Sequence, residues 1–340
     1  MATAMTDAAT KEASTGEEFR RRDERARRAL DPAEVRRLSK LSPLRATISL
    51  LQTWGLVVAL FAIAIRFPRP WVIALSMVGI AGAQHGLAIL AHQSAHYRMY
   101  ETRWLNDVVG RLCGLPLFVS VITYRVIHRI HHNHLYTAID PDLALMAGYP
   151  RGRAYLLKKL VKDLTGVTTV KNYLYFFGKT PTSRRDDHGS RPLDDTSSTL
   201  RAAAKRDRAL VLVVHALSLP ILIYTGAFRV YLLLWIVPLV TLLQALLRLR
   251  AVCEHGATPD GVVAGRAPDP RRAARTTIAP AYVKWLLFPH DMNFHVEHHL
   301  YPSVPHYRLA ECHRALHRQR LLDDAEVVPT MRETLRRVFA

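Results

Sequence analysis

The chain has 340 residues, 49% of them apolar, and a formal net charge of +19. That length suits one large domain or two ordinary ones. The charge first suggests a nucleic-acid binder, but its placement argues against one: long stretches carry no charge, while the flanks between them are rich in Arg. Cytoplasmic loops of membrane proteins carry the same Lys and Arg excess.

Residues 1–45 form a basic N-terminal segment without the early apolar core of a secretory signal. Its composition predicts a disordered tail over Met1–Gly16 and a charged surface helix over Glu17–Lys40, broken near Asp31-Pro32. Ala46–Ile65 then runs without a charge, long enough to cross a bilayer as a helix. Arg66 to Pro70 forms a tight turn, and Trp71, an interfacial residue type, opens a second apolar run through Ala91. The shorter run Leu112–Tyr124 is predicted as a re-entrant or interfacial segment, or as a buried core helix.

Residues 150–208 are polar and basic. Within them, Ala154–Phe177 has the mixed apolar and Lys pattern of a helix on a membrane surface. Arg184–Asp187 and Ser190–Ser198 read as exposed loop. Ala209–Gly226 and Val230–Leu247 are two further apolar runs, separated only by Ala227, Phe228 and Arg229, so they predict a second hairpin. Pro220 and Pro238 are tolerated in such helices. The fold expected is an all-α integral membrane protein with four spans in two hairpins and a helical cap. The positive-inside rule puts the cap and both termini in the cytoplasm, beside an inner cell membrane crossed by several passes. The membrane domain is placed at 46–317, followed by a C-terminal tail at 318–340.

Cys113, Cys253 and Cys312 are scattered without a CxxC pair, which excludes a disulfide framework and a thiolate metal site. The 17 histidines are more informative. His92 and His96 form HxxxH; His128, His131 and His132 form HxxHH; His295, His298 and His299 form a second HxxHH. At this histidine frequency HxxHH arises at a given position by chance roughly once in ten thousand. Residues at i, i+3 and i+4 share a helix face, and neutral imidazole is a common ligand for transition metals. All three boxes fall on the side predicted to be cytoplasmic, as does His255 after the fourth span. Nine candidate ligands exceed the needs of one ion and suit two.

His85 lies near the face of His92 and His96 but deeper, and reads as a core histidine. His134, His290 and His306 lie near the boxes but outside their spacing; His188, His215, His313 and His317 are assigned structural roles. Asp140, Asp142, Glu254, Asp291 and Glu297 are candidates to orient imidazole N–H groups.

The order HxxxH, HxxHH, HxxHH around two hairpins resembles the membrane fatty acid desaturase and hydroxylase superfamily, from about Ala46 to His317. The segment Asn293–Pro302 is most similar to its acyl-lipid branch. The resemblance implies a non-haem centre of two iron ions, O2 as co-substrate, a lipid or acyl substrate, and no catalytic residues beyond the metal ligands. It also implies that the eight box histidines are ligands, with His255 as the extra one. No haem signature or cysteine pair for a fused electron carrier is present, so an external ferredoxin- or cytochrome-type donor with its reductase is implied. The boxes also resemble those of hydroxylases and carotenoid ketolases. The expected reaction is insertion of a double bond into an acyl chain, with hydroxylation or ketolation of a lipid, carotenoid or smaller molecule as the alternative. A membrane metal carrier is the third reading, disfavoured because the spans hold few polar residues.

Overall fold

The structure, a computed structural model, describes residues 29–137, 140–177, 197–260 and 269–340. The expected tail at Met1–Gly16, the first half of the Glu17–Lys40 helix and the loop at Arg184–Asp187 lie outside these residues. So do His188 and most of the Ser190–Ser198 loop; Ser198 itself begins a helix.

The short helix α1 (Pro32–Leu38) starts at Asp31, whose side chain accepts from Ala33 N. Among the described residues four helices are long and apolar enough to cross a membrane: α2 (Pro43–Arg66), α3 (Pro70–Ala95), α9 (Ser198–Tyr224) and α10 (Phe228–His255). Helices cover the four expected spans, with added residues at both ends of α2, α3 and α10; α9 begins eleven residues earlier than expected and ends at Tyr224, two residues short of Gly226. Pro at the first position opens both α2 and α3, where its missing N–H costs nothing. The second hairpin turns at Gly226, with φ +73°.

The spans are not equivalent. In α3 67% of the apolar window is buried, against 22% in α2 and 11% in α9; α3 is the central post. In lipid, helices associate through close packing rather than through escape from water, so small residues matter. The inner part of α3 reads Gly79-Ile80-Ala81-Gly82-Ala83. Leu50 and Val57 of α2, Leu87 of α3 and Trp235 of α10 join one core around it. Val58, Leu75, Leu217 and Ile221 point outward and are exposed, as lipid-facing side chains must be.

Between the hairpins the chain folds into shorter helices. The run Leu112–Tyr124 is not one helix. It is the corner between α4 (Arg103–Gly114) and α5 (Val121–Asn133), which are bent by 97°. A 3-10 turn at Leu115–Leu117 contains Pro116, and Phe118 has φ 57°. Gly110 lets the two helices approach: a Cβ there would lie 2.7 Å from Val121 Cγ2 and 3.1 Å from Ser94 Cβ of α3. Asp207 of α9 fastens the corner. Its buried carboxylate accepts from Arg111 Nε at 2.6 Å, Ser120 Oγ at 2.7 Å and Ile122 N at 3.1 Å.

The single turn α6 (Leu143–Met146) follows. The expected surface helix over Ala154–Phe177 is two helices, α7 (Arg153–Leu164) and α8 (Val167–Phe176), parted at Gly166 with φ +77°. Leu157, Val161, Val167 and Val170 are exposed, consistent with a surface-lying amphipathic pair. Arg248 of α10 grips Asp163 of α7 with two donors, Nε and Nη2, both side chains being buried.

Span α10 is irregular. It carries a π turn at Leu232–Ile236, and its regular course breaks at Thr241 (φ −121°, ψ −82°). Beyond it come α11 (Pro270–Ala273), strand β1 (Thr276–Thr277), α12 (Ala281–Leu287), α13 (His295–Leu300) and α14 (Leu309–Arg318). Residues past 318 return to this assembly. Strand β2 (Val327–Val328) pairs in parallel with β1, and α15 (Met331–Phe339) closes the chain.

Candidate metal centre

The histidines are delivered by four elements. His92 occupies the last turn of α3 and His96 caps it, so the first box belongs to the helix rather than following it. His128, His131 and His132 lie in the last two turns of α5, His255 ends α10, and α13 carries His295, His298 and His299.

These elements bring all nine expected histidines together, in two groups. His92, His96, His128, His132 and His298 offer ring nitrogens within 4.8 Å of one another, as do His131, His255 and His299. His295 joins the second group, with its Nε2 2.8 Å from His255 Nε2 and 3.2 Å from His299 Nε2.

The first group has a definite shape. Going round it, the Nε2 separations are 2.7 Å for His92 to His128, 2.9 Å for His128 to His132, 3.1 Å for His132 to His298, and 3.1 Å for His298 to His92. The His96 ring stands 4.8–5.0 Å from the centroid of each of the other four. Four nitrogens thus make a closed ring with sides of 2.7–3.1 Å, and the fifth imidazole stands at similar distances from all four rings. Metal–imidazole bonds of about 2.1 Å meeting at right angles put adjacent nitrogens about 3.0 Å apart. A hydrogen-bonded explanation fits less well, because a neutral imidazole nitrogen donates or accepts but does not do both. His96 Nε2 is buried without a hydrogen-bond partner in the protein, a lone polar atom that a metal would satisfy.

The groups divide the boxes by helical phase. Positions i and i+4 lie about 40° apart around a helix, and i+3 lies about 100° from i+4. In α5 the i, i+4 pair His128 and His132 enters the first group and His131 the second. In α13 the pair His295 and His299 enters the second group and His298 the first. The His132 and His299 rings stack at 4.3 Å and 24° where the groups meet.

Burial favours the neutral, metal-binding form of His96, His295, His298 and His299. Loss of hydration pushes the pKa values of His295, His298 and His299 well below the ordinary histidine value, with neighbouring imidazoles adding to the effect. It takes His96 down to about 4, helped by Arg98. For His131 burial also disfavours the charge, but the Asp140 hydrogen bond and Asp142 outweigh it and raise the value.

Partners behind two of the rings, His131 and His255, fix their orientation. His131 Nδ1 donates to Asp140 Oδ1 at 2.9 Å, while Asp140 accepts from Tyr136 N at 2.8 Å and Asp142 N at 3.0 Å. His255 Nδ1 donates to Ala273 O at 3.0 Å. Glu254, held by Arg250, lies 3.5 Å from His295 Nδ1. Asp142 lies 3.6 Å from His131 Nδ1. The other two candidate carboxylates serve different partners: Asp291 pairs with Lys284, and Glu297 accepts from Thr276 Oγ1 and from His313 Nδ1.

Arg275 was not anticipated. Its fully buried guanidinium donates to Cys253 O at 3.1 Å and to Gly256 O and Ala257 O at 2.9 Å, capping α10 where His255 sits. Tyr136 OH reaches His255 O as well. Neither residue belongs to a spaced motif, so no sequence signal marked them.

The remaining histidines stand apart. His85 Nδ1 meets Leu286 O at 3.1 Å inside the bundle. His134 is exposed. His290 and His306 contact Thr53 Oγ1 and Ser49 Oγ at 3.2 and 2.9 Å. His215 stacks on Phe118 at 3.5 Å.

A mostly helical protein with four candidate membrane spans, carrying two buried histidine clusters able to hold metal, defines a membrane metalloprotein class. Comparison with known proteins narrows it. Residues 68–330 match the fatty acid desaturase family, and the chain belongs to that family of oxidoreductases. Its relatives are distant. An sn-1 oleoyl-lipid 12-desaturase of Picosynechococcus is 24% identical over 306 residues, 83% of this chain and 79% of the relative. Another from Anabaena variabilis is 25% identical, covering 71% of this chain and 67% of its own. An sn-1 acyl-lipid omega-3 desaturase (ferredoxin) of Nostoc is 25% identical over 68% of this chain and 63% of its own.

Proposed function

We propose that this protein introduces a double bond into the acyl chain of a membrane lipid, with two irons held by its nine histidines. The carrying observation is the convergence of two buried imidazole groups, five rings and four, that meet where His132 stacks on His299. On this reading His92, His96, His128, His132 and His298 hold one iron, and His131, His255, His295 and His299 hold the other. The donor set fits: converging, largely buried imidazoles suit a divalent first-row metal, and Asp140 and the Ala273 carbonyl back two of them. When bound, the iron pair supplies the O2-dependent chemistry that breaks unactivated C–H bonds.

The chain's own residues do the rest. Asp140 and the Ala273 carbonyl hold the outer nitrogens of His131 and His255 in their N–H form, so that the Nε2 lone pairs face inward. Arg275 and Tyr136 fix the end of α10. Seven of the nine rings are buried, which limits water at the reacting centre. The histidine end of the bundle faces the cytoplasm, as the basic flanks support. Electrons arrive from an external ferredoxin- or cytochrome-type carrier; the name of the Nostoc relative specifies ferredoxin.

The test is expression in a bacterial host with a matched ferredoxin and reductase, followed by mass spectrometry of total lipids against His298→Ala. Loss of two hydrogens from an acyl chain, absent from the variant, is the expected result. Gain of an oxygen atom would replace the desaturase reading with a hydroxylase.

A further inference from the structure

Away from the histidines, α8 and α9 flank an open groove of about 720 Å³. Its apolar walls are Val170 and Leu174 on α8 and Leu212 on α9, with Tyr173 between them and Lys205 and Arg208 at one end. Sites for small organic ligands fall in this range, roughly 300–1,000 Å³, so the groove has room for part of an amphiphile. The pattern is regular. Lys205, Arg208 and Leu212 follow one another at three and four residues and share one face of α9. Val170 and Leu174 share one face of α8 in the same way, and Val170, Leu174 and Leu212 are 62, 42 and 57% exposed.

The groove's depth coincides with the membrane boundary. Residues 205–208 of α9 are all charged, whereas 209–224 carry no charge. Lys205 therefore lies where lipid headgroups begin, and Leu212 about 10 Å further in. The local charge is not cancelled. Asp207, between the two cations in sequence, is turned inward and consumed by Arg111, Ser120 and Ile122 N. Among the described residues neither Lys205 nor Arg208 forms an ion pair; Arg208 Nη1 reaches only Thr123 Oγ1, at 3.3 Å.

We infer that this groove binds an anionic glycerophospholipid, its phosphate between Lys205 and Arg208 and one acyl chain along Val170, Leu174 and Leu212. A positive mouth over an apolar slot matches an amphiphile with a negative head and a hydrocarbon tail, and a zwitterionic lipid gains less from two cations. The site is separate from the histidine centre and holds whether or not the bound lipid is a substrate.

The test uses the full chain in detergent micelles with equal amounts of phosphatidylglycerol and phosphatidylcholine, reading retained lipid by native mass spectrometry. Each cation near headgroups is expected to favour the anionic lipid about fivefold, or about 25-fold together. Lys205→Gln with Arg208→Gln should erase that preference, while Lys205→Arg with Arg208→Lys should keep it and shows that the fold survives. Ala209→Trp, which fills the groove, should reduce retention of both lipids. Equal retention by the wild type overturns the inference, as does a preference that survives the double Gln variant. Loss of the preference in millimolar inorganic phosphate also overturns it, because it would mark a site for a bare anion.

Discussion

Asp140 and His131 are joined by a 2.9 Å hydrogen bond from ring Nδ1 to a buried carboxylate whose other contacts are backbone N–H groups of its own turn. The carboxylate is rigid before the imidazole is oriented, and the imidazole then has only one free nitrogen to present. Replacing Asp140 with Asn keeps the shape but weakens the acceptor. Iron affinity of the four-histidine group should fall about 10–100-fold, measured by competition with a chelator. The unfolding midpoint should change little by comparison.

The assignment of ligands separates histidines that are neighbours in sequence. His132→Ala should lower iron affinity about tenfold or more and abolish product. His134→Ala, two residues away and exposed, should leave both unchanged. Iron content by plasma emission spectrometry, with lipid profiles from the same cultures, checks the pair. Equal loss in both variants would sink the spacing argument.

Acid should destabilise the metal-free protein earlier than carboxylate titration would. His96, His295, His298 and His299 have folded-state pKa values below the ordinary value of about 6.5 that they regain on unfolding. Above that pH neither state binds the proton. Below it the unfolded state binds first, so stability falls as pH drops, and for His96 the fall continues to about 4. Chelator-treated protein should show a declining unfolding midpoint between pH 7.5 and 5; a flat or rising midpoint would contradict these burial effects.

Arg248 and Asp163 tie α10 to the surface helix α7. Removing one partner strands a buried charge, so Arg248→Met should cost about 3–5 kcal/mol. The double replacement Arg248→Met with Asp163→Leu should recover most of that. Urea or thermal unfolding of the three variants gives the comparison.

Much of this was legible in the residue order. Charge-free runs located all four spans because lipid imposes hydropathy directly on sequence, and the histidine boxes stood out because i, i+3 and i+4 is a rare spacing with a physical meaning. The corner at Leu115–Ser120 was not legible, since an apolar run does not record that Phe118 turns to positive φ. Nor was the division of the boxes. His131 and His132 are adjacent in the chain yet enter different groups, and that depends on how α5 faces α10 and α13. Arg275 escaped because its role is to receive three carbonyls from a turn some twenty residues earlier, a relation that only the folded chain contains.

The π turn at Leu232–Ile236 bears on how this chain tolerates changes in length. Such a turn is an α-helix that has taken up one extra residue, so a single deletion there lets the helix relax while both flanks keep their faces. The same deletion in Leu242–His255 has nowhere to be absorbed and rotates His255 by about 100° away from His295 and His299. The fourth span thus holds its slack at the end remote from the metal centre and is rigidly indexed at the end that reaches it.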